Sequence, residues 1–366
     1  MGETVTAGVQ TGPRSIEIRQ IDRPRELGSD EALLAVEGNG MCGTDWEQYK
    51  GALTALAPFP VIPGHETVGR IVEIGHRARD RLGVTEGDRV AVESTVSCGG
   101  CTYCARGQDL FCQRRSIYGL TTMTNEPALS GGYAELMVLR SNTRVYPIPN
   151  DLSIEDAVFF NPLGAGLDWT VRIGGTTVGD TVVIFGPGQR GLASVIAARA
   201  AGAGRIVVVG RGRRPWKFDV ALELGATHVV DNEREDVEEA VLEITDGELA
   251  DRVIDTSPGA VEPMLVATRI VRAEGTVVLA ALKEREGVPG FTDLITSKAL
   301  TVKGAHSVSD WAKRQAIRIL STGNHDLSRL HTHTLPIREL DLAMRILGGE
   351  VDGEEPLHIT VTGIQD

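Results

Sequence analysis

Apolar positions come in two textures along the chain, and the change falls near residue 150. Before it, strand-length apolar runs at 32–36, 69–74 and 89–92 are separated by Gly, Pro and Asp, the pattern of an irregular, mostly β region. After Pro147-Ile148-Pro149 the runs alternate with segments of helical character. Residues 181–185 read as a short buried strand and 189–201 as a helix of small and apolar residues. Residues 205–209 give the next strand and 216–224 the next helix; strands at 227–231, 251–256 and 275–281 follow, with helices between them. Such alternation predicts a parallel, doubly wound α/β sheet. One more helix at 309–320 and a closing strand at 358–361 complete the pattern, without repeats, low-complexity tracts or a flexible linker.

A length of 366 residues fits two or three domains, and 42% hydrophobic residues supply a large core without disulfide staples. The 43 glycines imply many tight turns or close backbone approaches. Net charge is −13, from 37 basic and 50 acidic residues, which disfavours nucleic acid or an anionic membrane as partner. Aromatic residues make up 4%, too few for base stacking as a main activity. No apolar run approaches the ~20 residues that span a bilayer. The first residues lack a basic stretch followed by an apolar core, so a cytoplasmic protein is expected.

Four of the five cysteines, Cys98, Cys101, Cys104 and Cys112, form C-x2-C-x2-C-x7-C. Two intervening residues let neighbouring sulfurs reach one tetrahedral ion at ~2.3 Å, and Gly99 and Gly100 free the backbone for that knuckle. Four thiolates fill the coordination sphere, so the spacing predicts a structural zinc, with an iron–sulfur cluster as the other occupant such a set suits.

Gly186-Pro-Gly188-Gln189-Arg190-Gly191 is G-x-G-x-x-G, placed after a predicted strand and at the start of a predicted helix. The first glycine permits the turn, the second lets backbone approach a pyrophosphate, and the third lets helix and strand pack closely. The acid that holds the ribose hydroxyls in NAD sites is replaced by Gly210, followed by Arg211, Arg213 and Arg214. Guanidinium groups in place of a carboxylate favour a 2′-phosphate, hence NADP over NAD. In the first half, Cys42 and His65 offer a thiolate and an imidazole for a second zinc, one that keeps a position open for an alcohol oxygen.

Taken in order, Gly40-Met-Cys42-Gly-Thr44-Asp45, Gly64-His65-Glu66-x-x-Gly69, Gly87-Asp-Arg-Val90, the four-cysteine lobe, Gly131-Gly132-Tyr-Ala-Glu135 and the Gly186 turn resemble the zinc-dependent medium-chain dehydrogenases. The alcohol, polyol and threonine dehydrogenase branch is the nearest likeness, and it runs essentially end to end. The resemblance implies a partly open, GroES-like β-barrel catalytic domain at 1–160, a Rossmann domain at 161–305, and a return of 306–366 to the catalytic domain. It implies an active site in the cleft, two zinc ions per subunit, an alcohol or carbonyl substrate, and a homodimer or homotetramer. It implies Cys42 and His65 as catalytic-zinc ligands, Glu66 as ligand or near-ligand, Thr44 as first proton relay, and Asp45 as the group orienting His65.

Two positions depart from that pattern. The third ligand, commonly Glu or Cys, is Asn161 here, and the relay histidine five residues after the ligand cysteine is Glu47. Glu47 could carry a proton outward or be a solvated surface carboxylate. The rival readings are a zinc-free quinone or enone reductase of the same fold, a catalytically inactive nucleotide sensor, and a zinc-ribbon interaction module. Cys42 and His65 oppose the first, Asn161 alone hints at the second, and the glycine turn and the charge oppose the third.

Overall fold

Continuous β-branched runs bury both faces of a strand, and those in the second half of this chain do so in one parallel sheet. The computed structural model describes residues 3–24, 26–124, 128–283 and 291–363. Two units divide the chain: Met1–Phe160 with Leu327–Asp366, and Asn161–Asp326.

In the second unit, six parallel strands lie in the order His228–Asp231, Arg205–Gly210, Thr181–Phe185, Ala250–Asp255, Val271–Leu279 and Thr301–Gly304. The first strand in sequence sits near the centre, and the chain winds outward from it in both directions, giving the expected doubly wound topology. All five positions of Thr181–Phe185 are buried. Val183, Val207, Val253 and Val277 meet in one core cluster, where each fully buried valine contributes about 1.5–3 kcal/mol. The helix Gln189–Ala200 covers the sheet through small side chains, and Ala193, Ala197 and Ala198 are fully buried. Val271–Leu279 starts earlier than the apolar pattern suggested, because Arg272 and Glu274 interrupt the apolar run at its opening.

Two elements of this unit carry no sequence period. The helix Phe160–Leu167 runs into a wide turn of helix at Asp168–Ile173, and Gly166 allows the approach: a Cβ there would lie 2.4 Å from the Ala193 carbonyl carbon. Asp168, buried, accepts from the backbone N and Oγ of Ser309, both at 2.7 Å, and pairs with Arg172. Ser309 in turn caps the helix Asp310–Leu320. These bonds tie that helix to the second unit, so the chain re-enters the first unit at Leu327, whereas the sequence-drawn boundary stands before the helix at 305/306.

In the first unit a hairpin, Thr4–Gly12 with Ser15–Asp22, accompanies a sheet in the order His331–Pro336, His358–Thr362, Ala32–Gly40, Glu66–Ile74, Arg89–Val92 and Val145–Pro147. Leu136–Leu139 also pairs with Ala32–Gly40. Register breaks between Leu33 and Leu34 and between Val36 and Gly38 bend the long strand. The closing strand pairs Thr360 with Gly40, which brings the end of the chain against the stretch leading to Cys42. No helix among the described residues is long and apolar enough to cross a membrane.

Candidate active site

The helix Gly43–Lys50 begins at Cys42, which serves as its N-cap. The backbone N of Cys42 donates to Asp45 Oδ2 at 2.9 Å, and Thr44 N donates to Cys42 Sγ at 3.3 Å. This reciprocal cap fixes the thiol and the carboxylate on one turn of backbone. His65 is the loop residue that immediately precedes the strand Glu66–Ile74. Gly64, at φ +94°, leads into it, and a Cβ there would strike Tyr133 N at 2.9 Å. Gly132 N donates to Gly64 O, and Tyr133 N donates to Pro63 O. The Gly131-Gly132-Tyr133 segment is therefore the surface against which the histidine loop is set.

His65 Nε2 lies 3.0 Å from Cys42 Sγ, and its Nδ1 lies 3.5 Å from Asp45 Oδ1. One ring nitrogen faces the thiol while a carboxylate stands behind the other, the arrangement that orients a metal-binding imidazole. Cys42, Asp45 and His65 form one group whose ligand atoms all lie within 4.8 Å of one another. Burial disfavours the imidazolium, yet the charges of Cys42 and Asp45 outweigh it and hold His65 well above the usual histidine range. Burial, then the charges of Asp45, Cys42 and Glu66, likewise raise the Tyr133 phenol well above its ordinary range.

Glu66, fully buried, is not part of that group; its Oε2 would lie 2.9 Å from a Cβ on Gly40, and His358 Nε2 would lie 3.3 Å from the same point. Thr44 is half-buried on the first turn, and Glu47, one turn on, pairs with Lys50 at 2.8 Å. Asn161 is buried at the start of the second unit. Sequence reasoning did not single out Asn39, whose Oδ1 accepts from Glu66 N at 3.1 Å and from Thr67 Oγ1 at 2.7 Å. Its place between two glycines, Gly38 and Gly40, was the available signal.

Cys98, Cys101, Cys104 and Cys112 come together as a second group. Cys101 Sγ lies 3.5 Å from Cys104 Sγ and 3.8 Å from Cys112 Sγ, close to the ~3.8 Å edge of a tetrahedron with ~2.3 Å bonds. Gly99, at φ +71°, makes the knuckle. A backbone bond from Cys104 leads the influences that draw the Cys101 thiol down to about 6, while burial and the Cys101 and Cys112 sulfurs push Cys104 up to about 11. The donor set fits zinc in a closed site.

At the carboxyl end of Thr181–Phe185, Gly186 turns at φ +97° and Gly188 caps the helix Gln189–Ala200. A Cβ on Gly191 would meet Gly186 O at 1.9 Å, whereas nothing lies within 4 Å of one on Gly188. The third glycine is thus demanded by packing and the second leaves room for a ligand, a cradle that fits a pyrophosphate. Gly210 has a packing reason of its own, since a Cβ there would meet Pro187 Cδ at 2.5 Å. Beyond it, Asp231 Oδ1 accepts from Gly212 N at 2.8 Å, and Glu233 holds Arg213 at 2.8 Å. Arg211 is exposed and has no ion-pair partner among the described residues.

Residues 28–150 match the alcohol dehydrogenase GroES-like domain, and residues 191–322 match the zinc-binding dehydrogenase domain. A Mycobacterium tuberculosis protein classed as a probable alcohol dehydrogenase is 41% identical over 99% of both chains. The L-threonine 3-dehydrogenase of Pyrococcus furiosus is 33% identical over 91% of this chain and 92% of its own. Among solved structures, a Sinorhizobium meliloti protein classed as a zinc-binding dehydrogenase, crystallised with NADP, superposes with a TM-score of 0.86 at 28% identity, covering 98% of this chain and 99% of its own.

Proposed function

Since the chain belongs to the zinc-binding medium-chain dehydrogenase family, an oxidoreductase family of alcohol and polyol dehydrogenases, we propose that it moves a hydride between a secondary alcohol or polyol, or the matching ketone, and NADP. The observation that carries the reading is the Cys42 Sγ to His65 Nε2 distance of 3.0 Å with Asp45 behind the ring. A zinc-free reductase has no use for that trio. Zinc bound there supplies Lewis-acid polarisation of the substrate oxygen, and bound nicotinamide exchanges the hydride.

The chain's own groups handle orientation and the proton. Asp45 accepts at His65 Nδ1 and keeps Nε2 toward Cys42. The Thr44 hydroxyl, able to accept and donate at once, takes the substrate proton, and Glu47 one turn later passes it to solvent. Glu66 and Asn161 are the two candidates for a third donor, and metal retention in E66Q and N161A separates them. The test of the activity is a panel of secondary alcohols, polyols and ketones assayed with both coenzymes, with and without a chelator. Turnover that a chelator leaves untouched refutes the reading.

Coenzyme choice rests on Arg211. A charge-assisted bond to a 2′-phosphate contributes about 1.5–3 kcal/mol, so R211A is expected to weaken NADPH binding roughly tenfold to a hundredfold. NADH binding should barely change, because NADH lacks that phosphate. R213A is expected to do less, since Glu233 already holds Arg213. Fluorescence titration of both reduced coenzymes checks this, and a higher wild-type kcat/KM with NAD would overturn it.

A further inference from the structure

We propose that Lys283 is a positioning residue for the nicotinamide half of the dinucleotide, acting through Asp255 on the loop that packs against the glycine turn. This rests on the coenzyme reading above.

Asp255 ends the strand Ala250–Asp255 and is fully buried. Lys283 Nζ lies 2.6 Å from Asp255 Oδ2 and donates to Ser257 O at 2.6 Å; its side chain is only 11% exposed. Asp255 Oδ1 accepts from Ser257 N at 3.0 Å. Backbone bonds run beside the pair, from Ala280 N to Asp255 O and from Gly259 N to Leu282 O. Residues 280–283 are thereby stitched to 255–259 at the carboxyl edge of the sheet.

The inner loop then reaches the coenzyme turn. Thr256 donates to Phe185 O from both its backbone N at 3.1 Å and its Oγ1 at 2.7 Å. A Cβ on Gly186 would lie 3.0 Å from Thr256 Oγ1 and 3.2 Å from Ser257 Oγ. A chain of contacts thus links Lys283, Asp255, the Thr256-Ser257 loop and the Gly186 turn.

Strand order locates the affected half of the ligand. A dinucleotide crosses the sheet at the switch point, with its pyrophosphate on the glycine turn. Its adenosine end lies over Arg205–Gly210, on one side of Thr181–Phe185, so the other half lies over the ends of Ala250–Asp255 and Val271–Leu279. Those are the two strands whose following loops Lys283 joins. A buried ion pair is a weak source of net stability, since apolar replacements of both partners are often neutral, whereas removing one partner strands a charge. Burial accordingly raises the Asp255 carboxyl, although Lys283 pulls the other way. Placement of the two loops is what the pair adds.

The experiment compares K283M, K283R and K283M/D255N in the full chain, by NADPH titration, 2′,5′-ADP calorimetry and thermal melting. The fragment 2′,5′-ADP carries only the adenosine end. K283M is expected to weaken NADPH about tenfold while leaving 2′,5′-ADP within about twofold, and K283R to stay within about threefold of wild type for both. K283M/D255N, with no stranded charge, is expected to regain the wild-type Tm but not the NADPH affinity. NADPH bound by K283M as tightly as by wild type overturns the inference, as does an equal loss of NADPH and 2′,5′-ADP. Wild-type protein that binds no dinucleotide overturns the coenzyme reading itself, and the role of Lys283 with it.

Discussion

On the proposed reading, Cys42→Ala is expected to lower kcat about a thousandfold, because a Lewis acid held there would lower the barrier by several kcal/mol, taken as roughly 4 kcal/mol. The fold should survive the change. Besides its 3.0 Å contact with His65 Nε2, Cys42 Sγ accepts one 3.3 Å bond from Thr44 N, and the 2.9 Å bond from Cys42 N to Asp45 needs no thiol. His65 stays set by the Gly132 and Tyr133 backbone bonds to the Pro63-Gly64 turn. Mild chelation of the wild type should act in the same way, removing one kind of metal together with activity. On that reading the site would offer one thiolate and, once the metal displaces its proton, a neutral imidazole, which compensate less cationic charge than four thiolates would, so its ion is expected to leave first. The measurements are kcat, metal content and circular dichroism on C42A and on chelated wild type. A C42A protein with unchanged metal content and near-normal kcat would remove Cys42 from the site.

Cys104→Ser is expected to produce the opposite pattern: lost stability first, with kcat retained by the protein that remains folded. Besides its sulfurs, the lobe from Cys98 to Cys112 is tied to the rest of the unit by the 2.7 Å pair of Asp109 with Arg144. Its helical pieces are Thr102–Ala105 and Asp109–Phe111, too short to stand without tertiary support. Its aromatic contact, Tyr103 with Phe111, is a tilted pair at 6.4 Å, and Phe111 is half exposed. With a metal on the four thiolates, its binding free energy would be folding free energy for this segment. A loss on the order of 4 kcal/mol, the range seen when a metal site fails, corresponds to a Tm lower by roughly 10 °C. Thermal melting with metal analysis checks this, and visible absorption separates zinc from an iron–sulfur occupant, since zinc is colourless. Equal Tm and equal metal content in C104S would refute a structural role.

Much of this molecule was legible along the chain because the relevant physics is short-ranged. A buried parallel strand must be apolar on both faces, so Thr181–Phe185 and Arg205–Gly210 announced themselves nearly to the residue. A four-thiolate knuckle needs its cysteines within a few residues of one another, and a phosphate turn needs three glycines within six. The family resemblance rested on such local motifs in a fixed order.

What the chain could not display were pairings between distant residues. Twenty-three positions separate Cys42 from His65, and the antiparallel pairing of Gly40 with Glu66, together with Gly131-Gly132-Tyr133 packed under Gly64, closes that gap to 3.0 Å. Gly210 read as a missing acid, and the fold adds a steric reason, since Pro187 fills the place of its side chain. Arg213 looked as available as Arg211 until Glu233, from the next strand's loop, was seen to hold it. Asp255 and Lys283 carry no motif at all, and their bond exists because two parallel strands end side by side. Sequence alone thus determined the fold class, the glycine turn and the donor types, because each follows from local sterics and short loop closure. Tertiary structure decided which side chains meet, because those contacts depend on where separate strands end in space and not on spacing along the chain.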